Sequence, residues 1–251
     1  MQYAEAGPGE AVRFLSRTPS WFDPRDKAVL DVGCGTGALC VELARRGAKR
    51  VVGVDVAADA VRLARARLAA SDHPERVAYR VYGGDPAELG DERFDIVVCK
   101  DAFHRFGGPG RPDPDAMFLR MACLLRDGGL LVIGFAPLWR APYGGQIESR
   151  VPWAHIIFPE SIIFEKYRRD RPPGRTARTF EEGFGLNRMT LARFRRIADA
   201  SGMERLHLAT NVSDRRAVRS MRALARLPAL EEYFTQNVYG VWRRPPGWSA
   251  P

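Results

Sequence analysis

The run Val29-Leu30-Asp31-Val32-Gly33-Cys34-Gly35-Thr36-Gly37 decides the fold. A short apolar strand, Ala28 to Val32, enters a turn with glycine at every second position, and Ala38 to Arg46 reads as the helix that leaves it. Glycine is needed there because the backbone must turn sharply and approach a ligand closely, with no Cβ in the way. Gly33, Gly35 and Ala38 also satisfy the G-x-G-x-x-G/A dinucleotide fingerprint. This run alone therefore leaves nicotinamide and adenosine cofactors open.

Outward from the turn, strand and helix signals alternate. Arg50 to Val54 reads as a strand, and Asp59 to Ala69 as a helix with Val61, Ala64 and Leu68 on one face. Val77 to Val81 alternates like a strand, and Phe94 to Cys99 is a buried one. Asp113-Pro114 supplies an N-cap and an N1 proline to a helix expected to end before Gly128-Gly129, and Leu130 to Phe135 is a fifth strand. This order predicts an α/β doubly wound, mostly parallel sheet. From Pro137 to Arg188 the alternation stops in text rich in Pro, Gly, aromatics and Arg, read as an inserted lid with no long helical or strand period. Thr190 to Ser201 (helix), Glu204 to Ala209 (strand), Asp214 to Arg226 (basic helix) and Tyr239 to Arg243 (strand) close the chain. The expected organisation is an N-terminal helical cap over 1–26, a cofactor-binding core over 27–136, a substrate lid over 137–189, and C-terminal helices with the last two strands over 190–251.

Composition narrows the class. At 251 residues, 45% apolar and 27% charged, the chain can bury one large core without metals or crosslinks. Its longest apolar stretch, Leu130 to Ala136, falls far short of the roughly 20 residues that span a bilayer. Met1 to Glu5 lacks the basic-then-apolar layout of an export signal. Cys34, Cys40, Cys99 and Cys123 form no CxxC pair and have no His at zinc-ligand spacing, which points to reduced, buried thiols and the cytoplasm. The net charge of +9 is unevenly spread: residues 1–136 carry 19 basic and 19 acidic side chains, whereas 137–251 carry 20 and 11. Arginine accounts for 35 of the 39 basic residues, a bias that genome composition can also produce.

Four further segments stand in register with the glycine turn. Asp55 closes the second strand about 20 residues past the glycines, where a carboxylate can accept both hydroxyls of a ribose; an ordinary helix cap is the plainer alternative. Gly83-Gly84-Asp85 follows the third strand, Cys99-Lys100-Asp101-Ala102-Phe103-His104 ends the fourth, and Leu125-Arg126-Asp127-Gly128-Gly129 precedes the fifth. Together these segments, over Lys27 to Phe135, resemble the class I S-adenosylmethionine (SAM)-dependent methyltransferases, in particular their small-molecule branch. A dinucleotide dehydrogenase does not predict Asp31 ahead of the glycines together with Gly84-Asp85 and Asp127-Gly128-Gly129. The resemblance implies a seven-stranded sheet with its last strand antiparallel and SAM as cofactor, S-adenosylhomocysteine (SAH) being the product. It implies that Asp31, Gly33, Cys34, Gly35 and Gly37 hold the methionine part, Asp55 and Val56 the ribose side, Gly84 and Asp85 the adenine, and the Cys99-Lys100 backbone the amino group. Asp127 stands where the family often has proline.

A sulfonium methyl is already on an activated leaving group, so the protein must align a nucleophile and exclude water. An oxygen nucleophile also needs its proton removed or must bind as the anion. His104, at the cofactor edge, and His155, inside Val151-Pro152-Trp153-Ala154-His155-Ile156, are the candidate bases; His104 otherwise reads as a cofactor or substrate contact, and a satisfied core histidine is the stronger reading of His155. His73 and His207 read as structural. Tyr143 and Trp153 are candidate substrate contacts. In the basic run Lys166 to Arg178, Arg168, Arg169 and Arg171 suit an anionic or carrier-tethered acceptor, against the alternative of a solvated loop. No Asn/Asp-Pro-Pro-aromatic run follows the fourth strand and no Asp-Asn pair follows the fifth, so neither nucleic-acid amino methylation nor a metal is expected. The expected protein is a cytoplasmic small-molecule methyltransferase, on oxygen before nitrogen, set in bacterial specialised metabolism or sugar modification. It is expected as a monomer or homodimer with no membrane partner. RNA methylation and a non-catalytic SAM-binding subunit are the rivals.

Overall fold

A computed structural model describes residues 8–18, 20–107, 112–147, 151–169, 177–213 and 216–251. Among them seven strands form one sheet in the order β3-β2-β1-β4-β5-β7-β6. The strands are β1 (Ala28–Val32), β2 (Arg50–Asp55), β3 (Val77–Val81), β4 (Phe94–Lys100), β5 (Leu125–Phe135), β6 (Glu204–Thr210) and β7 (Val238–Arg243). The first five run parallel, and β7 is antiparallel to both β5 and β6, as expected for the class I methyltransferase fold. Strand order reverses between β1 and β4, and ligands of such sheets bind beyond the carboxyl ends at that crevice.

Period-two alternation makes two cores from one sheet. Leu30, Val32, Val52, Val97, Leu131 and Ile133 face α4 (Pro114–Cys123) and α8 (Leu191–Ala200). Val29, Val51, Ile96, Val98 and Val132 face α1 (Pro8–Arg17), α2 (Ala38–Arg45) and α3 (Ala58–Leu68). Asp31 stands on this second face, a carboxyl where the pattern calls for an apolar residue.

Two expectations need correction. Helix α4 ends at Cys123, and β5 already begins at Leu125, which pairs with Phe94; a register shift before Ile96 and the left-handed Gly128 (φ 77°) let the strand pass through the double glycine. The lid region also contains helices: α5 (Ala154–Ile157), α6 (Glu160–Arg169) and α7 (Phe180–Phe184). Helices α5 and α7 are too short for a sequence period, whereas the ten-residue α6 is not; a separate small core of Phe164, Phe180 and Leu186, edged by Trp139 and Phe184, holds α6 and α7. Helices α9 (Arg216–Leu224) and α10 (Glu231–Phe234) follow β6.

Phe194 of α8 packs at 5.2–5.6 Å, ring to ring, on Phe103, Phe135 and Trp242, joining the sheet to the turn after β4. It is fully buried. Phe194→Ala should cost about 3–5 kcal/mol in urea unfolding, since the three surrounding rings cannot collapse into the gap.

Candidate active site

The glycine turn is held from below and left open above. Gly33, Gly35 and Gly37 all have positive φ, at 78°, 53° and 84°. A Cβ on Gly33 would lie 2.4 Å from the Ala102 Cβ, and one on Gly37 2.3 Å from the Tyr79 hydroxyl, which itself donates to the Gly37 carbonyl at 2.9 Å. A Cβ on Gly35 would meet nothing within 4 Å. Gly35 thus offers bare backbone to open space. The Gly33 and Cys34 N–H groups donate to the Val54 carbonyl, and the Gly35 N–H donates to the Asp55 carboxylate at 2.9 Å. The second Asp55 oxygen accepts the Ala57 N–H, also at 2.9 Å. Each carboxylate oxygen keeps a further lone pair, so Asp55 both braces the turn and can accept from a ligand. Val56 beside it is an exposed apolar surface.

Asp31 is almost completely buried, with the Cys40 thiol donating to it at 3.3 Å. Burial pushes its pKa up to about 6. The nearby Lys100 ammonium is committed to Asp101 at 2.6 Å. A buried carboxyl so placed is suited to a cationic group arriving at the turn, and the buried Thr36 hydroxyl there has no partner. Gly84 is left-handed at φ 102°, with its carbonyl accepting from Arg120. Asp85 caps the 3₁₀ turn Pro86–Leu89 by accepting the Ala87 N–H with one oxygen, while its carboxyl remains exposed. Cys99 points into the sheet core, so only its backbone reaches the edge. These groups fit SAM. When SAM is bound, Asp31 would complement its ammonium, Asp55 its ribose hydroxyls, Gly35 its close approach, and Val56 with Asp85 its adenine.

The cap residues divide. His104 lies on the 3₁₀ turn Phe103–Arg105 after β4, stacked on Phe135 at 5.7 Å, and burial lowers its pKa to about 3. Its Nε2 contacts the Gln146 side-chain amide at 3.0 Å, and its Nδ1 is buried without a partner. His155 sits against Trp139 and Phe180, its Nε2–H donating to the Trp139 carbonyl at 2.6 Å, and burial lowers its pKa too. Tyr143 is exposed. Trp153, half-buried, donates to the Arg140 carbonyl and packs on Phe234. Arg168 and Arg169 fall on α6; Arg171 lies outside the described residues. His207 stacks on Trp21, away from the glycine turn. Sequence reading missed Gln146, Arg105 and Asn187, which join the cap to the His104 turn; the double glycine before Gln146 was the available signal.

Compared with known proteins, residues 29–129 match the methyltransferase-domain family. This segment matches a methyltransferase domain, and the sheet around it has the class I SAM-dependent methyltransferase fold. A ubiquinone biosynthesis O-methyltransferase of Neisseria meningitidis serogroup C is 35% identical over 109 residues, covering 43% of this chain and 44% of that one. The chain spans about half the length of the curated relatives it matches. Over nearly the whole chain the fold is similar to a SAM-dependent methyltransferase of Mesorhizobium loti, with TM-score 0.59, 17% identity, and 95% and 100% of the two chains covered. It is also similar to magnesium protoporphyrin IX methyltransferase of Synechocystis PCC 6803 with bound SAH, with TM-score 0.53, 18% identity, and 94% and 83% covered.

Gly35→Ala and Gly37→Ala separate cradle from brace in this domain. Gly35→Ala should lower SAH affinity at least tenfold by calorimetry while costing only about 1 kcal/mol of stability from its left-handed backbone. Gly37→Ala should cost more stability, because its Cβ meets the Tyr79 ring.

Asp31→Asn should act in opposite directions on stability and binding. A folded carboxyl that keeps its proton to about pH 6, against about 4 unfolded, contributes stability below about pH 4 that is lost as pH rises through about 6. The apo variant should therefore be more stable than wild type at pH 8, by up to about 3 kcal/mol, and equal to it near pH 4. Its SAM affinity at pH 8 should fall. Urea titrations and calorimetry at the two pH values check both halves.

Proposed function

We propose that the chain methylates a small-molecule acceptor from SAM, at oxygen rather than nitrogen. The observation that carries the transfer is the carboxyl edge itself: bare Gly35, buried Asp31 and a doubly bonded Asp55 converge at the strand-order reversal. When bound, SAM supplies a methyl group on an activated sulfonium. The protein's contribution is to hold the turn, seat the acceptor under the cap and keep water away. The oxygen assignment is supported by the relative's O-methyltransferase name and by two histidines that burial keeps uncharged. His155 is the better base of the two. Its Nε2–H is spent on the Trp139 carbonyl, which leaves the Nδ1 lone pair of the neutral ring for a proton. His104, with a pKa of about 3, is a poor proton acceptor near neutrality.

The finer reading takes the acceptor from specialised metabolism or sugar modification and gives Tyr143, Trp153 and the arginines at 168, 169 and 171 its recognition. A hydroxylated or anionic acceptor suits the basic second half of the chain. The deciding experiment is methyl transfer from labelled SAM to phenols, hydroxylated sugars, carboxylates, amines and RNA. Oxygen-linked label on a small molecule supports the reading, label confined to RNA replaces it, and SAM binding without turnover on any class returns the non-catalytic rival.

With an active acceptor, His155→Ala should lower kcat by about 10²–10⁴ and leave SAM affinity intact. Because a base must be deprotonated and the His155 pKa is lowered, kcat should stay flat above the usual histidine range and fall only below it. Replacing the three arginines together should lower kcat/KM and flatten its salt dependence, since the field they focus is screened within about 8 Å at physiological salt.

A further inference from the structure

Among the described residues the cap grips the edge after β4 at the turn Phe103–Arg105. The Arg105 guanidinium donates to the Phe184 carbonyl at 2.6 Å and to Gln146 Oε1 at 3.0 Å. Asn187 donates from its backbone N–H to the His104 carbonyl at 2.9 Å and from its side chain to the Phe103 carbonyl at 3.0 Å. Between these contacts Gln146 reaches His104. Guanidinium has no acceptor atom, so Gln146 must present Oε1 to Arg105 and its NH₂ group to His104 Nε2. An NH₂ group donates, so Nε2 must carry the lone pair and the ring proton must be on Nδ1. Gln146 holds this position at a backbone cost, with φ at 53°. The two glycines before it are packed where side chains would not fit: a Cβ on Gly144 would lie 2.0 Å from the Trp139 carbonyl oxygen, and one on Gly145 2.4 Å from the His155 Cβ. The strained, glycine-built turn therefore delivers one amide to one imidazole nitrogen. The other nitrogen, Nδ1, is buried and unpartnered on a residue only 3% exposed, two positions from the Ala102 that abuts Gly33.

We propose that Gln146, oriented by Arg105, is a positioning residue that locks His104 in its Nδ1–H tautomer, making it a hydrogen-bond donor to an oxygen of the acceptor. The tautomer lock stands on this chain's contacts alone; the acceptor oxygen rests on the methyltransferase reading. A fixed N–H donor two residues past the Ala102 that abuts Gly33 suits a ligand atom with a free lone pair, such as a carbonyl, carboxylate or phenolic oxygen. It does not suit a protonated amine, which has only hydrogens to offer.

Nitrogen-resolved NMR of the imidazole in the full chain, without SAM or acceptor, reads the tautomer directly. His104 should carry its proton on Nδ1. In Gln146→Glu the carboxylate only accepts, so the proton should move to Nε2 and the ring should titrate at higher pH. Arg105→Lys, which removes the fork that orients the amide, should give a mixture of tautomers and serves if Gln146→Glu does not fold. An Nε2–H ring in the wild type, or a Gln146→Glu ring still protonated on Nδ1, overturns the lock. SAH calorimetry on the same samples separates the two readings: Nδ1–H without SAH binding sinks the methyltransferase reading and leaves the lock standing. With an active acceptor, Gln146→Glu should raise KM more than it lowers kcat; the reverse split would make His104 a base and overturn its role as donor.

Discussion

The hydrogen bond from the Gly35 N–H to Asp55 ties the end of β1 to the end of β2, beside the crevice between β1 and β4 where strand order reverses. It requires the backbone after Asp31 to take three left-handed glycines in five residues, so no side chain can be placed there without closing the cradle or striking its supports. Val54 takes two further N–H groups of the same turn, and Tyr79 from β3 holds its far end. Three neighbouring strands thus contribute to one bend. The neighbours' own residues follow from this. Gly53 of β2 is small because a Cβ there would press on Cys40 and Tyr79 at 2.7 Å.

A second constraint is electrostatic. Asp31 occupies a core-facing strand position where an apolar residue would stabilise the sheet more, and only a weak thiol donor meets it. In the proposed reading the same carboxyl would complement a cationic ligand group. On that reading, stability is given up where binding would use a charge, as preorganised sites commonly do.

The cap adds what the sheet lacks. The glycine turn stands bare at Gly35, whereas the cap, ordered around a separate small aromatic core, brings Gln146 and Asn187 onto the turn Phe103–Arg105 after β4. Its anchoring on the His104 turn joins the cap's position to the orientation of that imidazole. Gln146, Asn187 and Arg105 carry that joint together, and the Gln146 amide is the one that meets the imidazole nitrogen.

The sheet, its order of elements and the cofactor edge were legible in the chain itself. Val29 to Gly37, Asp55 and Gly84-Asp85 act through local backbone geometry and strand periodicity, which repeat over a few residues and so leave a trace in sequence. The same logic failed for α6 and for the start of β5. Short cap helices are ordered by contacts between distant aromatics, and Leu125 pairs with Phe94 despite the turn signal of Gly128-Gly129. The roles of the histidines were beyond the sequence altogether. His104 and His155 are alike as residues, but one meets an amide and the other a carbonyl, and both are stripped of water. Protonation state and tautomer depend on partners 16 and 42 positions away, so only the tertiary structure could decide them.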